Sequence, residues 1–352
     1  MLYDVDKPFK ILSIDGGGIR GIYPAKFLSE LEYQLEQEGE EPRLNKYFDL
    51  ICGTSTGGII AMGLALGMPS QEVLKLYKAN ANKIFGNKSN WFSSLFKPFH
   101  GSDYLKTLLK NEFSRYSEQE IARLGHAKTR TCIPVYNSGK GRVSVYKTSH
   151  HPELKIDYQY PAHDVAVSTS SAPFYFKPHS FSYSRIDKDQ PENVTNNIDG
   201  GIFANNPTLI GILEAIEALE VPTEKLKILS LGTGNKAFSE TDVDKKWGAM
   251  YWGTPPSPNI FDLMMSAQSD HVNNLVKFLN KGIGNNGSPE FLYERIQFNF
   301  DKIPPIGLDE TDERRLQLLE DQAFDDYQVK GSKVIREFCD QEITPYEPSY
   351  QL

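Results

Sequence analysis

The chain has 352 residues, with 38 Lys plus Arg against 46 Asp plus Glu, a formal charge of −8. That deficit of basic surface excludes a general binder of nucleic-acid polymers, which needs cations to displace the polymer's counterions, and it argues against docking on anionic lipid by charge alone. With 39% hydrophobic and 24% charged residues, the chain has core material for one large domain or two ordinary ones.

The first third alternates short apolar runs with helical patterns, the signature of an α/β sandwich with a largely parallel sheet. Lys10 to Ile14 reads as a buried strand followed by a Gly-rich turn, and Pro24 opens a helix whose apolar face is Phe27, Leu28, Leu31 and Leu35. A second strand, Tyr47 to Cys52, runs into GTSTGG and a helix of small and apolar residues from Ile59 to Leu66. Ser70 is expected to cap the next helix, QEVLKLYKANANKIF. Residues 86 to 101 then form a loop dense in aromatics, Trp91, Phe92, Phe96 and Phe99, with Lys88 and Lys97 beside them.

Ser102 is expected to cap DYLKTLLKNEF, and strand-like runs at 129–137 and 142–148 flank SGKG as a hairpin. After DGGIFANNP, Asn206 and Pro207 start a helix with Leu209, Ile212, Leu213, Ile216 and Leu219 on one face, and Lys227 to Leu231 returns as a buried strand. Beyond that the pattern loosens around one helix from Phe261 to Leu279, and 309–340 reads as one or two charged helices. No Pro, Gly or Ser linker divides the chain, so the expectation is a catalytic core over 1–235 with a C-terminal extension over 236–352, both in a single domain.

Cys52, Cys132 and Cys339 form an odd, widely spaced set with no CxxC pair, which suggests neither a disulfide framework nor a zinc site. The N-terminus lacks a basic region and apolar run before the first strand, and the longest apolar stretch, Ile59 to Met68, is short of the roughly 20 residues that span a bilayer. A cytoplasmic protein is expected.

The segment richest in chemistry is Gly53-Thr54-Ser55-Thr56-Gly57-Gly58, a G-x-S-x-G between a predicted strand and a predicted helix. That is the setting of a nucleophile elbow, in which a sharp turn lifts the Ser55 hydroxyl above the sheet and the helix N-terminus faces developing negative charge. A second motif, Asp15-Gly16-Gly17-Gly18-Ile19-Arg20-Gly21, follows the first strand. Its glycines fit a dinucleotide-binding fingerprint, with acidic residues about 20 positions on, and they fit equally an oxyanion hole of backbone N–H groups, with Arg20 orienting the loop or adding positive potential. Only an acyl-transfer enzyme gives both motifs a role.

Ser55 needs a base. The order Ser55, Asp199, His271 would satisfy a triad, yet His271 lies within a helical run where a surface or packing histidine is the plainer reading. Asp199 ends a strand-like stretch at a turn with Gly200 and Gly201, and a carboxylate in reach of Ser55 can take its proton directly; otherwise it is an ordinary turn aspartate.

DGGGIRG, GTSTGG and DGG in this order, with LSLGTG at 229–234, resemble the patatin-like phospholipases over roughly residues 9 to 235. The resemblance implies a three-layer α/β/α sandwich with a mostly parallel central sheet and a nucleophile elbow. It implies an oxyanion hole at Gly16, Gly17 and Gly18 with Arg20 nearby, Ser55 as nucleophile, Asp199 as base in a dyad without histidine, and no metal or other cofactor. GLALGMPSQEVLKLY, VYKTSHHPELKIDYQYPAHDVAVSTSSAPFYFKPH and DGGIFANNP look like the bacterial patatin-type effectors of cyclic-oligonucleotide anti-phage signalling (CBASS). That likeness implies an enzyme activated by a cyclic dinucleotide that degrades membrane phospholipid at the inner membrane surface.

Two other functions compete: an ungated housekeeping lipid esterase, and a non-hydrolytic nucleotide-binding module built on GGGIRG. For lipid access, Trp91, Phe92, Leu95, Phe96 and Phe99 either make peripheral membrane contact or cover the acyl groove and core. The extension from residue 236 is a candidate for regulation or for self-association into a homo-oligomer.

Overall fold

The computed structural model describes residues 3–86, 100–235, 248, 251–252, 259–283, 289–301 and 303–352. The aromatic run from Trp91 to Phe99 lies outside the described residues, so its two readings are left as expectations.

The elements follow in chain order as β1 (Phe9–Ile14), α1 (Ile22–Gln37), β2 (Leu50–Gly53), α2 (Thr56–Ala65), α3 (Ser70–Phe85), α4 (Asp103–Ser117), β3 (Arg130–Asn137) and β4 (Arg142–Lys147). After these come α5 (Ala162–Thr169), β5 (His179–Tyr183), β6 (Glu192–Asp199), α6 (Gly201–Ala204), α7 (Thr208–Leu213), β7 (Leu226–Leu231), α8 (Asn259–Ile283), β8 (Leu292–Ile296) and α9 (Glu313–Phe338). The sheet reads β5-β6-β3-β2-β1-β7-β8, with β4 paired to β3. Its centre, β3-β2-β1-β7-β8, is parallel throughout.

Period-two alternation in β1 sends Leu12 and Ile14 into a core built with α1, α2 and α3, and Phe9 and Ile11 into a second core with α7 and α8. A strand covered on both faces is apolar at nearly every position, which is why KILSI reads as a buried run.

β3 is the pivot of the sheet. β2 pairs with it at Arg130–Cys132 and β6 at Val135–Asn137, while β4 spans Cys132–Asn137 on the opposite edge. β2 and β6 therefore share one edge of β3 and meet head to head, so the residues that end them, Gly53 and Asp199, are brought to one place.

Several boundaries differ from the sequence expectation. Both early helices start sooner, α1 at Ile22 and α2 at Thr56, because each turn winds directly into its helix. Residues 44–46 form a 3₁₀ turn, so β2 begins only at Leu50. Neither Ser70 nor Ser102 caps a helix through its side chain; the Ser70 N–H instead donates to the buried Glu32 Oε2 at 2.6 Å. The helix after Pro207 is short and passes into a π-turn at Glu214–Ala218, and 309–340 contains one helix, α9.

The chain beyond residue 235 supplies α8, strand β8 of the central sheet, and α9, which packs along α1. We propose that it completes the same domain. No helix among the described residues is long and apolar enough to cross a membrane.

Candidate active site

Gly53 ends β2, Thr54 follows it, and Ser55 turns the chain into α2 with φ 54° and ψ −123°, a conformation costly for a residue with a Cβ. The turn is tight because nothing larger than hydrogen fits around it. A Cβ on Gly57 would lie 2.2 Å from the Ile14 carbonyl oxygen, and one on Gly53 2.1 Å from that of Gly57. Thr54 Oγ1 donates to the Ala204 carbonyl at 2.6 Å, and Thr56 Oγ1 to the Tyr77 hydroxyl at 2.6 Å. The Ser55 N–H donates to Thr169 Oγ1 at 3.1 Å, and Thr169 donates onward to the Pro134 carbonyl at 2.6 Å.

The same loop after α5 holds Asp199. Its N–H donates to the Ser171 carbonyl at 3.0 Å, and the Gly200 N–H to the Thr169 carbonyl at 3.3 Å. Gly201 N–H donates to Asp199 Oδ1 at 2.7 Å, whereas Oδ2 is buried without a hydrogen bond of normal geometry. Burial pushes the Asp199 carboxyl up to about 7, with the neighbouring Ser55 hydroxyl and the Gly201 N–H opposing the shift. Ser55 is 5% exposed and Asp199 0%. Both line one cavity whose far walls are apolar, including Ile59, Ile84, Leu105 and Phe176.

The glycine loop passes beside them. A Cβ on Gly16 would lie 3.1 Å from Ser55 Cβ, and Gly18 lines the cavity at φ +55°. Its amides divide into two groups. Gly16 N–H donates to the Asn205 carbonyl at 3.0 Å, Ile19 N–H to Leu308 and Arg20 N–H to Gly17, while the N–H groups of Gly17 and Gly18 have no partner among the described residues. The expected set of three glycine donors thus narrows to two. Arg20 does not face Ser55: its Nε donates to the Ile306 carbonyl at 2.7 Å, its guanidinium lies over the Phe300 ring, and it lines a separate polar cavity with Asp262. It is not among the residues that line the Ser55 cavity. His271 is exposed on α8, and no histidine lines the cavity among the described residues.

Residues 12–212 match the family model described as patatin-like phospholipase, more than half of the chain. The chain belongs to the patatin-like phospholipase family. Members of this family are lipid ester hydrolases, and the fold described above is the patatin fold. The chain is 32% identical over 289 residues to a cGAMP-activated phospholipase of Pseudomonas aeruginosa (strain BWHPSA011 / Pa011), covering 79% of this chain and 76% of that one. It is 35% identical over 246 residues to a cGAMP-activated phospholipase of Vibrio cholerae (65% of each chain) and 34% identical over 295 residues to patatin-like protein 2 of Arabidopsis thaliana (74% and 70%). VipD of Legionella pneumophila overlays with a TM-score of 0.44 at 13% identity, covering 92% of this chain and 67% of that one.

Sequence reasoning missed the segment 168–171, through which Thr169 and Ser171 tie the backbones of Ser55 and Asp199 together. The serine and threonine cluster was visible, but the contacts span 114 positions between Thr169 and Ser55 and follow no motif. It also missed Arg295, on β8, which donates to both oxygens of Asp15 at 2.8 and 2.5 Å, while Ser269 donates to Asp15 at 2.8 Å.

Proposed function

We propose that this protein hydrolyses fatty-acyl esters of membrane phospholipids with a Ser55–Asp199 dyad, at the inner membrane surface, and that a cyclic dinucleotide activates it in anti-phage defence. The observation that carries the hydrolytic reading is the juxtaposition, in one largely apolar cavity, of a serine on a strained elbow and a buried carboxylate with a free oxygen.

In the reaction, ionised Asp199 takes the Ser55 proton as the hydroxyl oxygen attacks the ester carbonyl. The carbonyl π-electrons move to oxygen, and that oxyanion is met by the Gly17 and Gly18 N–H groups, with the Thr56 N–H at the start of α2 beside them. Collapse expels the lysophospholipid alkoxide, which recovers the proton from Asp199. Water, deprotonated by Asp199, then attacks the acyl-serine; the Ser55 oxygen leaves and takes that proton back from Asp199, releasing the fatty acid. The apolar wall formed by Ile59, Ile84 and Phe176 suits an acyl chain.

Activation by a cyclic dinucleotide is supported by the names of bacterial relatives at 32–35% identity. With a net charge of −8, contact with the bilayer must be apolar and local. The glycine loop lies against Ser55 rather than at an open crevice, which favours the hydrolytic reading over a nucleotide-binding module.

The test is fatty-acid release from phosphatidylethanolamine–phosphatidylglycerol vesicles, with and without cGAMP. Wild-type activity should rise with cGAMP, and Ser55→Ala or Asp199→Ala should each lower it by about a thousandfold or more without changing the fold. Release by Ser55→Ala at the wild-type rate would refute the dyad. High wild-type activity indifferent to cGAMP would refute the gating and leave an ungated lipid esterase.

A further inference from the structure

On the face of the sheet served by α7 and α8 lies a cluster of side chains that the hydrolytic site does not use. Cys132 on β3, His150 just beyond β4 and Glu214 at the start of the π-turn are all buried, and their donor atoms lie within 4.8 Å of one another. We propose that Cys132, His150 and Glu214 form a binding site for a borderline-soft divalent cation of the zinc class, which staples β3, the exit of β4 and the end of α7 together.

The donor set suits such an ion. Thiolate, imidazole and carboxylate bind zinc at about 2.0–2.3 Å, which places donors sharing one tetrahedral ion roughly 3.3–3.8 Å apart, so the His150–Glu214 contact at 2.8 Å must open by about 0.5 Å and the wider separations, none beyond 4.8 Å, must close by about 1 Å at most. The surroundings also have the features of a metal site. His150 Nδ1 is held by Thr148 Oγ1 at 2.8 Å, and that oxygen is fixed by the Thr131 N–H at 3.0 Å, which leaves Nε2 as the inward nitrogen. At present Nε2 meets Glu214 Oε1 at 2.8 Å, the place an ion would take between them. Glu214 Oε2 is occupied separately by Lys147, so the carboxylate can ligate through one oxygen and keep its ion pair through the other.

Three protein donors leave the fourth position of a tetrahedral ion to a water molecule; Cys52, the register partner of Cys132 on the neighbouring strand, lies outside the cluster. One thiolate, one carboxylate and a divalent cation sum to zero, and Lys147 keeps its ion pair with the second carboxylate oxygen. The π-turn that begins at Glu214 is the local distortion that gives this otherwise apolar layer its carboxylate. Binding converts the buried Cys132 thiol to the thiolate and releases its proton to solvent.

The test uses the full chain, purified without a histidine tag and stripped with a chelator, then titrated with Co²⁺ and afterwards Zn²⁺. Wild-type protein should develop a thiolate-to-cobalt ultraviolet band and visible bands of a four-coordinate site at one equivalent, and Zn²⁺ should bleach them and raise Tm. Cys132→Ser should abolish the ultraviolet band, and His150→Ala should weaken cobalt binding at least about tenfold. Cys339→Ser, whose thiol belongs to the other hydrophobic cluster, should change neither. Should Cys132→Ser fail to fold, the wild-type titration decides on its own. Absence of a thiolate–cobalt band at one equivalent overturns the proposal, as does a band undiminished in Cys132→Ser or lost in Cys339→Ser.

Discussion

Among the described residues Asp199 has no cationic partner to offset its burial, and its Oδ2 lacks a hydrogen bond of normal geometry, so the native state carries a group that is costly once ionised. Its folded pKa of about 7 stands above the unfolded value of 3.8, so between those values the unfolded chain releases the proton and the folded chain keeps it. Stability attributable to this group is greatest below about pH 4, falls as pH rises through the window, and is fully lost above about 7. Asp199→Asn should therefore melt higher than wild type at pH 8, by a few degrees, with the advantage shrinking towards pH 4; a difference independent of pH would contradict this account. The same value predicts that hydrolysis falls off as pH drops below about 7, because the proposed base must be ionised. Asp199 was legible in the sequence as the end of a strand at a DGG turn. Its burial was not, because the residues that wall it in, Thr169 and Ser171 among them, are set by tertiary packing.

The elements around the site explain what was readable and what was not. Buried parallel strands such as β1 and β7 announce themselves as unbroken apolar runs, and G-x-S-x-G marks the β2–α2 turn because only glycine tolerates its contacts. β8 escaped notice because LYERI is a half-buried edge strand with charges at two of its positions. The meeting of β2 and β6 along one edge of β3 could not be read either, since register is a property of pairs of strands and no motif encodes it. The turn itself gives a sharp test. Gly57→Ala places a methyl against the Ile14 carbonyl oxygen and should destabilise the protein by about 1–3 kcal/mol, with loss of hydrolysis. Gly101→Ala, where no atom of the described residues lies within 4 Å, should stay within about 0.5 kcal/mol of wild type in the same urea titration.

At the scale of the whole molecule, the glycine loop near the start of the chain is held by residues near its end. Arg295 clamps Asp15, the Leu308 carbonyl receives the Ile19 N–H, the Ile306 carbonyl holds Arg20, and Asp340 pairs with the buried Lys10. Arg295→Met leaves the Asp15 carboxylate buried and uncompensated, at a cost of about 3–5 kcal/mol. A chain ending at residue 235 exposes the parallel edge of β7 and uncovers α1; circular dichroism and gel filtration should show it unfolded or aggregated. A cooperatively folded 1–235 fragment would contradict this account. The contact order of the loop also has a consequence for synthesis. Asp15 and Arg295 are 280 positions apart, so at about 5–20 residues per second the ribosome needs tens of seconds after making the loop before its clamp emerges. Until then the nascent chain holds the serine elbow without the Arg295 clamp on its glycine loop, so under the proposed dyad mechanism a product of interrupted translation should be inactive.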